Sequence, residues 1–261
     1  MRKIKTEKDN VVQSLDRALE ILEELSRSES GLGVTELGSI IGLHKSTVHR
    51  LLHTLLLRGY VEKNSFTDKY RLGLKLVSLG QARLESTEIR AEARPFLNEL
   101  MELTQEAVHL CLWENGKVIY IDKVECRNAV LMYSRIGRVA SIHCTGVGKI
   151  IAAYLPDEQI IKLVKENGLH SRTEKTITDI NELLKHYEIV RAQGFAIDDE
   201  EHDPGLRCVA APVRDFSGNV IASISVAGPT TRVTMDRISS ELARMLIETA
   251  NKISVQLGFR N

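Results

Sequence analysis

The stretch LHKSTVHRLLHTLLLRGYV, residues 43–61, decides the fold of the N-terminal part of this chain. It predicts a helix that begins after a tight turn at Gly42 and ends at Gly59. Polar side chains occupy most of its first two turns and are left towards solvent. Apolar residues recur at helical spacing and form its inner stripe: Val48, Leu51, Leu52 and Leu55.

The segments on either side of this helix complete a recognisable order of elements. Residues 11–26 carry leucines at helical spacing (Leu15, Leu19, Leu22 and Leu25), and a second, short helix can begin at Thr35. After the helix, YVEKN and KYRLG predict two short strands around the turn SFTD. Two helices, a tight turn, a third helix and a β-hairpin are the order of a winged helix-turn-helix. In that motif the last helix enters the major groove of DNA.

Charge is distributed in a way that agrees with DNA binding. The chain has 35 basic and 35 acidic side chains, so its overall charge excludes nothing. However, no acidic residue lies between Glu36 and Glu62, as expected for a surface that faces phosphates. A short buried helix pair with few charges of either sign would also lack acidic residues, and a purely solvated face is the alternative interpretation of the polar side chains. The predicted DNA-binding residues are Thr35, His44, Lys45, Ser46, Thr47, His49, Arg50 and His53.

Length, composition and cysteine usage indicate a cytoplasmic protein of one or two domains. The chain has 261 residues and 43% hydrophobic residues, which excludes a disordered chain. No apolar run reaches the roughly 18 residues of a membrane-spanning helix, and the basic N-terminus lacks the apolar core of a secretory signal. Four widely spaced cysteines argue against a disulfide framework or a structural zinc site.

The rest of the chain alternates strands and helices. Helices are predicted over residues 74–85 and 89–105, and later over 146–155, 157–166, 178–194 and 234–257. Strands are predicted at 107–114 and 117–125 around an Asn-Gly hairpin turn, then at 130–137, 207–215 and 219–228. Hairpins outnumber β-α-β crossovers, so we expect an α+β domain with an antiparallel sheet and helices on its faces, and not a Rossmann domain.

A glycine turn in HCTGVGK is the first candidate for ligand contact. It fails as a phosphate-binding P-loop, because His143 and Ile150 stand where Gly and Ser or Thr are needed. Backbone N–H groups at residues 146–148 can still hold a carboxylate at a helix N-terminus. The alternative is a turn that serves only packing.

The acidic segment IDDEEHDPGLRC, residues 197–208, is the second candidate. It can line a ligand pocket, bind a metal together with Cys208, supply a catalytic carboxylate, or be a solvated loop. His49 and His53 have metal-ligand spacing but lack the Glu of H-E-x-x-H, and the chain has no G-x-S-x-G elbow. Neither an enzyme nor a cofactor is therefore expected. The residues considered for a metal site, which we do not favour, are His143, Asp198, Asp199, His202 and Cys208.

Over essentially its whole length the chain resembles the IclR family of bacterial transcriptional regulators. The resemblance is carried by LHKSTVHRLLHTLLLRGYV, KYRLGLKL, LMYSRIGR, HCTGVGK and IDDEEHDPGLRCVAAPV. It implies a winged helix-turn-helix at residues 1–74, a linker helix at 75–90 and a GAF-like effector-binding domain at 91–261. YSRIGR resembles the sugar-acid branch of the family, whereas IDDEEH and SVAGP resemble the glyoxylate-pathway branch, so the branch stays open.

The resemblance also implies a function and a ligand pocket. The expected protein is a homodimer or tetramer that binds a near-palindromic operator and represses a carbohydrate or sugar-acid catabolic operon in response to a small acid. The alternative is a metabolite-binding or enzymatic domain with an incidental helical arm. Val147 and Ala227 stand where the glyoxylate-type pocket has Ala and Ser, and His44 replaces a common Ser at the start of the recognition helix. The implied effector-binding residues are Gly146, Val147, Asp198, Cys208, Ser225 and Ala227.

Overall fold

The computed structural model describes residues 11–85, 88–125 and 134–260. The chain divides into two compact units, Met1–Ser86 and Thr87–Asn261. None of the helices in these described ranges is both long enough and apolar enough to cross a membrane. Of the predicted linker helix at 75–90, residues 75–85 lie in one helix and residues 88–90 begin another, while residues 86 and 87 lie outside the described ranges.

The N-terminal unit is the predicted winged helix-turn-helix. Its core joins all three helices to the hairpin, because Ile21, Leu37, Val48, Leu52 and Val61 pack into one buried cluster. The hairpin strands pair antiparallel, and the fold class of this unit is confirmed. Its elements are α1 (Gln13–Arg27), α2 (Val34–Ile41), α3 (Lys45–Leu57), β1 (Val61–Lys63), β2 (Tyr70–Leu72) and α4 (Leu74–Glu85).

Two glycines make the turn between α2 and α3 possible. Gly42 ends α2 with a φ of 71°, a left-handed conformation that favours glycine. At Gly38 a Cβ atom would lie 2.8 Å from the carbonyl oxygen of Leu43, so a side chain there would push the turn away. α3 then begins without a side-chain cap, because its N-cap residue is His44, whose Nδ1 lies 3.0 Å from the Ser46 hydroxyl.

The leucine stripe of α1 is divided between core and surface. Ile21 and Leu25 are buried, whereas Leu15 and Leu19 are 59% and 50% exposed. The leucines predicted to form one stripe therefore divide between the core and the surface. An exposed apolar surface remains on the N-terminal half of α1.

The C-terminal unit contains one six-stranded antiparallel sheet, as predicted. Its strand order is β5-β4-β3-β8-β7-β6. α6 and α8 pack on the face that carries Cys111 and Ala210. Side chains alternate along a strand, so Val209 projects to the other face, which α5 and α10 cover. The elements are α5 (Glu88–Thr104), β3 (Ala107–Glu114), β4 (Lys117–Val124), β5 (Val139–Ala140), α6 (Gly146–Ala152), α7 (Asp157–Asn167), α8 (Ile180–Gln193), β6 (Ala196–Asp199), β7 (Leu206–Arg214), β8 (Val220–Pro229), α9 (Met235–Arg237), a π-helical turn (Ile238–Leu242) and α10 (Ala243–Gln256).

Two details of this sheet differ from the prediction. The strand predicted at residues 130–137 is not found in its described part, residues 134–137, and residues 130–133 lie outside the described ranges. A short strand follows instead at Val139–Ala140 and pairs with β4. The start of the acidic segment, treated only as a loop in sequence, forms the edge strand β6 against β7.

Candidate functional site

The exposed face of α3 carries the polar side chains that the sequence singled out. Lys45, His49, Arg50 and His53 are all exposed, and Thr47 is half-buried beside Val48 of the core. Within the described part of the chain, neither Lys45 nor Arg50 forms an ion pair, so their charges are available to an external partner. His44, Ser46 and Thr35 are also exposed, the last in the first turn of α2.

The tip of the hairpin holds an aromatic side chain that sequence reasoning missed. Phe66 is 98% exposed. The Asn64 side chain fixes the turn by accepting hydrogen bonds from the backbone N–H groups of Phe66 and Thr67, at 2.9 and 3.1 Å. The signal was visible in SFTD, because an apolar ring in a four-residue turn has no core to enter.

In the C-terminal unit, strand register assembles four of the predicted effector residues. Asp198 on β6 pairs with Cys208 on β7, and Cys208 pairs with Ala227 on β8. Ser225 lies two residues before Ala227 on the same face, opposite His109 of β3. Directly paired residues project from the same side of a sheet, so these side chains form one surface.

Gly146 lets α6 approach this surface. A Cβ atom at Gly146 would lie 2.9 Å from the sulfur of Cys208, so only glycine fits here without a shift. The Thr145 hydroxyl caps the helix by accepting the N–H of Gly148, at 3.1 Å. One N–H group of the glycine turn is therefore already bound within the protein and is not available to a ligand.

Val147 is not part of the cavity surface. Its side chain is buried in the hydrophobic core with Ile150 and Tyr187. The prediction placed it in the pocket next to Gly146, but successive residues of a helix point about 100° apart, and the next one turns away into the core.

The surface of strands and α6 encloses a cavity of about 220 Å³. Five of the six predicted effector residues line it, all except Val147. The lining residues are His109, Tyr120, Ser134, Arg138, Val139, Ala140, Ser141, Thr145, Gly146, Arg172, Asp198, His202, Asp203, Leu206, Arg207, Cys208, Ser225 and Ala227. We call this the sheet cavity.

Asp198 is the acidic centre of the sheet cavity. It is 8% exposed, and its Oδ1 accepts the backbone N–H groups of Glu201 and His202 at 2.9 and 3.3 Å. Burial raises the pKa of Asp198 to about 7, although the positive charge of Lys149 opposes this rise. Near neutral pH this carboxyl can therefore act as a hydrogen-bond donor or as an acceptor.

His109 bridges two serine hydroxyls of the cavity wall. Its Nε2 lies 2.7 Å from the Ser134 hydroxyl and its Nδ1 lies 3.3 Å from the Ser225 hydroxyl. Burial lowers the pKa of His109 to about 3, so the ring is neutral and carries a single N–H. One serine therefore accepts from the ring and keeps its own proton to donate, while the other donates to the ring and offers lone pairs.

A buried ion pair holds the segment that carries Asp198, next to the sheet cavity. Lys149 of α6 is fully buried, and its Nζ lies 2.5 Å from Oε1 of Glu201, three residues after Asp198. Thr173 and Thr176 donate their hydroxyls to the carbonyls of Glu200 and Glu201, at 2.7 Å each. These contacts fix the segment after β6 and hence the Asp198 backbone.

The hypothetical metal site lacks suitable geometry. Among residues 11–85, 88–125 and 134–260, no three His, Cys, Asp or Glu side chains are placed to hold a metal ion. Burial raises the pKa of the Cys208 thiol to about 12, so it is not a ready thiolate ligand. Asp199 binds Arg207 instead, with Arg207 Nε 2.7 Å from its Oδ1, and His143 Nε2 donates to the carbonyl of His170.

Several cavity residues carried only a weak sequence signal. His109 is a polar residue within the apolar strand AVHLCLWE, which was a detectable anomaly. Ser134, Arg138 and Arg172 lie in segments without regular structure, so no periodicity could assign them to the cavity. Only the tertiary fold brings them together.

Comparison with known proteins finds a matching family model for each of the two units. Residues 14–65 match the family model for the IclR helix-turn-helix domain, and residues 81–255 match that for the bacterial transcriptional regulator IclR C-terminal domain. The HTH-type transcriptional regulator XynR of Escherichia coli (strain K12) is 36% identical over 249 residues, which cover 95% of this chain and 98% of that protein. Other curated relatives are also named as transcriptional regulators or repressors.

Solved structures agree with this fold. The crystal structure of the Thermotoga maritima IclR protein has a TM-score of 0.75 and 31% identity, and the match covers 95% of this chain and all of that one. An IclR homologue from Microbacterium hydrocarbonoxydans, crystallised with 4-hydroxybenzoate, has a TM-score of 0.77 and 22% identity over 94% of this chain and 98% of that one.

The elevated pKa of Asp198 has a testable consequence for stability. Between the pKa of an unfolded aspartate, about 3.9, and the native value of about 7, the folded protein holds a proton that the unfolded chain releases. The free energy of unfolding should therefore contain a contribution that falls by up to roughly 1.4 kcal/mol per pH unit as pH rises through this window. The Asp198→Asn variant should lack it.

Urea unfolding of wild type and Asp198→Asn at pH 5 and pH 8 measures this contribution. We expect the variant to gain stability relative to wild type at pH 8 compared with pH 5. Parallel curves for the two proteins would show that the carboxyl is ionised in the folded protein throughout.

Proposed function

The chain belongs to the IclR family of bacterial transcriptional regulators, and from this premise we propose that it is a repressor whose operator binding is controlled by a small hydroxy- or keto-acid in the sheet cavity. The family binds DNA through its helix-turn-helix. The identity of the ligand, the contacting residues and the oligomeric state are the proposal. Its main support is the single wall on which strand register gathers Asp198, Cys208, Ser225 and Ala227 beside the His109 bridge.

We propose that α3 contacts DNA through its exposed polar face. Lys45 and Arg50 are cations without an ion-pair partner in the described residues, and an arginine can bind guanine bidentately or neutralise a phosphate. The neighbouring hydroxyls and imidazoles of Ser46, Thr47 and His49 can bond phosphates or base edges. His44, His53 and Thr35 complete the proposed surface.

Replacing Arg50 by alanine should weaken operator binding. If Arg50 contacts a base, the cost should be about 1–3 kcal/mol and specific for sequence. If it contacts only phosphate, the loss should be similar on every duplex and the salt slope should fall by about one. Fluorescence anisotropy on a duplex selected from a random pool, and on a scrambled duplex, distinguishes the two.

The matched control is Arg27→Ala, which removes an exposed arginine of the same unit that pairs with Glu24 on α1. It should bind DNA like wild type. Equal binding by Arg50→Ala and Arg27→Ala would remove α3 from the DNA contact.

We propose that the functional protein is at least a dimer. One winged helix offers a small contact area, and specific DNA binding usually needs more. The N-terminal unit has apolar side chains that its own core does not use: Leu15 and Leu19 on α1, and Leu74 and Val77 on α4. A second copy that buries such side chains would place two α3 helices on half-sites about 34 Å apart or a multiple of it.

The double variant Leu15→Glu, Leu19→Glu should weaken self-association, because it places charges in a contact that excludes water. Sedimentation equilibrium at micromolar concentration should show a lower mass than wild type, and operator binding should fall with it. Leu57→Glu changes another exposed leucine of the same unit and should leave the mass unchanged. A wild-type monomer, or an unchanged mass in the double variant, would contradict the proposal.

The polar groups of the sheet cavity support a ligand with hydroxyl or carbonyl oxygens. The His109 bridge presents one serine as a donor and the other as an acceptor, and Asp198 can take either part near neutral pH. The cavity has a volume of only about 220 Å³. The ligand is therefore a small molecule, and Cys208 and Ala227 give it an apolar wall.

The positive charge in the cavity supports an acid. Gly146 and Thr145 offer less than the sequence suggested, because the cap takes the N–H of Gly148. Arg172 lines the cavity without an ion pair in the described residues, so we assign the carboxylate of the ligand to the Arg172 side and its hydroxyl or carbonyl end to Asp198. An ionised ligand beside an ionised Asp198 would be repelled.

Ligand control follows from differential binding. If the acid binds one arrangement of the C-terminal units better than another, it shifts the population towards that arrangement by its difference in affinity. The ligand then changes operator affinity without touching DNA. By the same reciprocity, the operator changes the affinity for the acid.

Asp198→Ala should raise the ligand concentration that releases operator, by a free energy of about 1–3 kcal/mol, because the ligand loses a buried hydrogen-bond partner. Operator affinity without ligand should stay near wild type. A thermal-shift panel of small hydroxy- and keto-acids identifies the ligand first, since a ligand of the native state raises the midpoint. Asp157→Ala, on the exposed first turn of α7, is the matched control. Release at the same ligand concentration in all three proteins would exclude Asp198 from the pocket.

A further inference from the structure

A second cavity lies beside the sheet cavity in the C-terminal unit. It has a volume of about 160 Å³ and is bordered by the start of β4, the residues around β5 and the C-terminal end of α7. Val139, Ala140, Ser141 and Arg172 line both cavities, so the two adjoin at this edge. None of the residues that carry the proposed hydroxyl recognition lines the second cavity, which we call the basic cavity.

The two cavities differ in their acidic groups. The sheet cavity has the carboxyls of Asp198 and Asp203 in its lining beside three arginines, whereas no acidic residue lines the basic cavity. Lys117 and Arg172 do line it, and neither forms an ion pair with any residue that the structure describes. Two cations that converge on one small cavity without a carboxylate favour an anion there.

One of the two imidazoles of this cavity is held by a backbone contact. His143 is buried, and its Nε2 donates to the carbonyl of His170 at 3.1 Å, which fixes the backbone that carries the second imidazole. His170 itself is exposed, and its ring lies beside Gly168, where an added Cβ atom would be only 3.1 Å from Nε2 of the ring. The second imidazole is therefore accessible at the rim of the cavity.

The dipole of α7 does not cancel this charge. Helix C-termini repel anions, and α7 ends at Asn167 on the border of the cavity. However, the Asn167 side chain donates to the carbonyl of Leu163 at 2.9 Å, and the N–H of Gly168 donates to Val164. One of the last four carbonyls, that of Val164, is therefore occupied, and a half charge at most opposes the two full charges of Lys117 and Arg172.

We propose that the basic cavity is an anion-binding site that takes a phosphate or carboxylate group, held by Lys117, Arg172 and His170 and separate from the hydroxyl-recognising wall of the sheet cavity. Arg172 can bind two oxygens at once through its guanidinium fork, and Lys117 adds a point charge. His143 is a positioning residue, since it acts through the His170 backbone. The site shares Arg172 with the carboxylate end proposed for the effector, so the two ligands would compete for that guanidinium, whereas Lys117 and His170 line only the basic cavity.

Inorganic phosphate is the probe for this site. Titration of the full-length protein, followed by isothermal calorimetry and by amide NMR shifts, should show saturable binding with shifts at Gly116 and Gly168, which line the basic cavity, and not at Gly146. Lys117→Gln and His170→Gln should each weaken phosphate binding about tenfold, as for loss of one hydrogen bond to a charged group. Lys162→Gln, which removes an exposed lysine of α7, should have no effect.

Each outcome bears on one proposal. No saturable phosphate binding, or binding that Lys117→Gln and His170→Gln leave unchanged, overturns the anion site. If Lys117→Gln instead weakens operator binding in the absence of phosphate, the lysine serves DNA and the small-anion site is likewise overturned. Asp198→Ala should leave phosphate affinity unchanged, so failure of the effector proposal does not remove this site.

Discussion

The antiparallel register of β6, β7 and β8 is the constraint on which the C-terminal unit depends. It pairs Asp198 with Cys208 and Cys208 with Ala227, and the pairing of β8 with β3 sets Ser225 beside His109. A shift of one residue would turn every one of these side chains to the opposite face, which α5 and α10 cover. The same register brings Cys208 under Gly146, where any side chain larger than hydrogen would collide. The cavity, the close approach of α6 and the polar wall are therefore consequences of the strand register.

The buried pair of Lys149 and Glu201 ties α6 to the segment after β6. A buried ion pair is weak evidence for net stability, because removing both charges from water offsets much of their attraction. Its other effect is positional. Breaking it would leave a buried charge unpaired, so the pair strongly disfavours any arrangement in which α6 and Glu201 separate. The backbone N–H of Glu201 that binds Asp198 is held by the same contact.

How much of the molecule could be predicted depended on whether the relevant contacts were local. α3 was predicted at residues 44–59 and is found at Lys45–Leu57, because its apolar stripe and the flanking glycines are local signals. β6 and β5 were not predicted, since an acidic edge strand and a two-residue strand have no apolar alternation and form only against a neighbour. The resemblance in sequence places Val147 in the pocket. However, successive residues of α6 point in different directions, and the Val147 side chain points into the hydrophobic core. His109 and Arg172 reach the sheet cavity through long-range pairing, which a single sequence does not display.

The two units also present their polar groups in physically different ways. On α3 the cations and imidazoles lie in solvent, where an unpaired charge costs little, and the apolar stripe of the helix was enough to predict which face is exposed. In the C-terminal unit the polar groups are buried, where each unpaired donor or acceptor costs about 1–3 kcal/mol. His109 and Asp198 are accordingly held by serine hydroxyls and backbone N–H groups before any ligand arrives. Such pre-organisation lowers the ordering cost of binding, so the buried polar groups of this cavity need less ordering on contact with a ligand than the exposed side chains of α3 do.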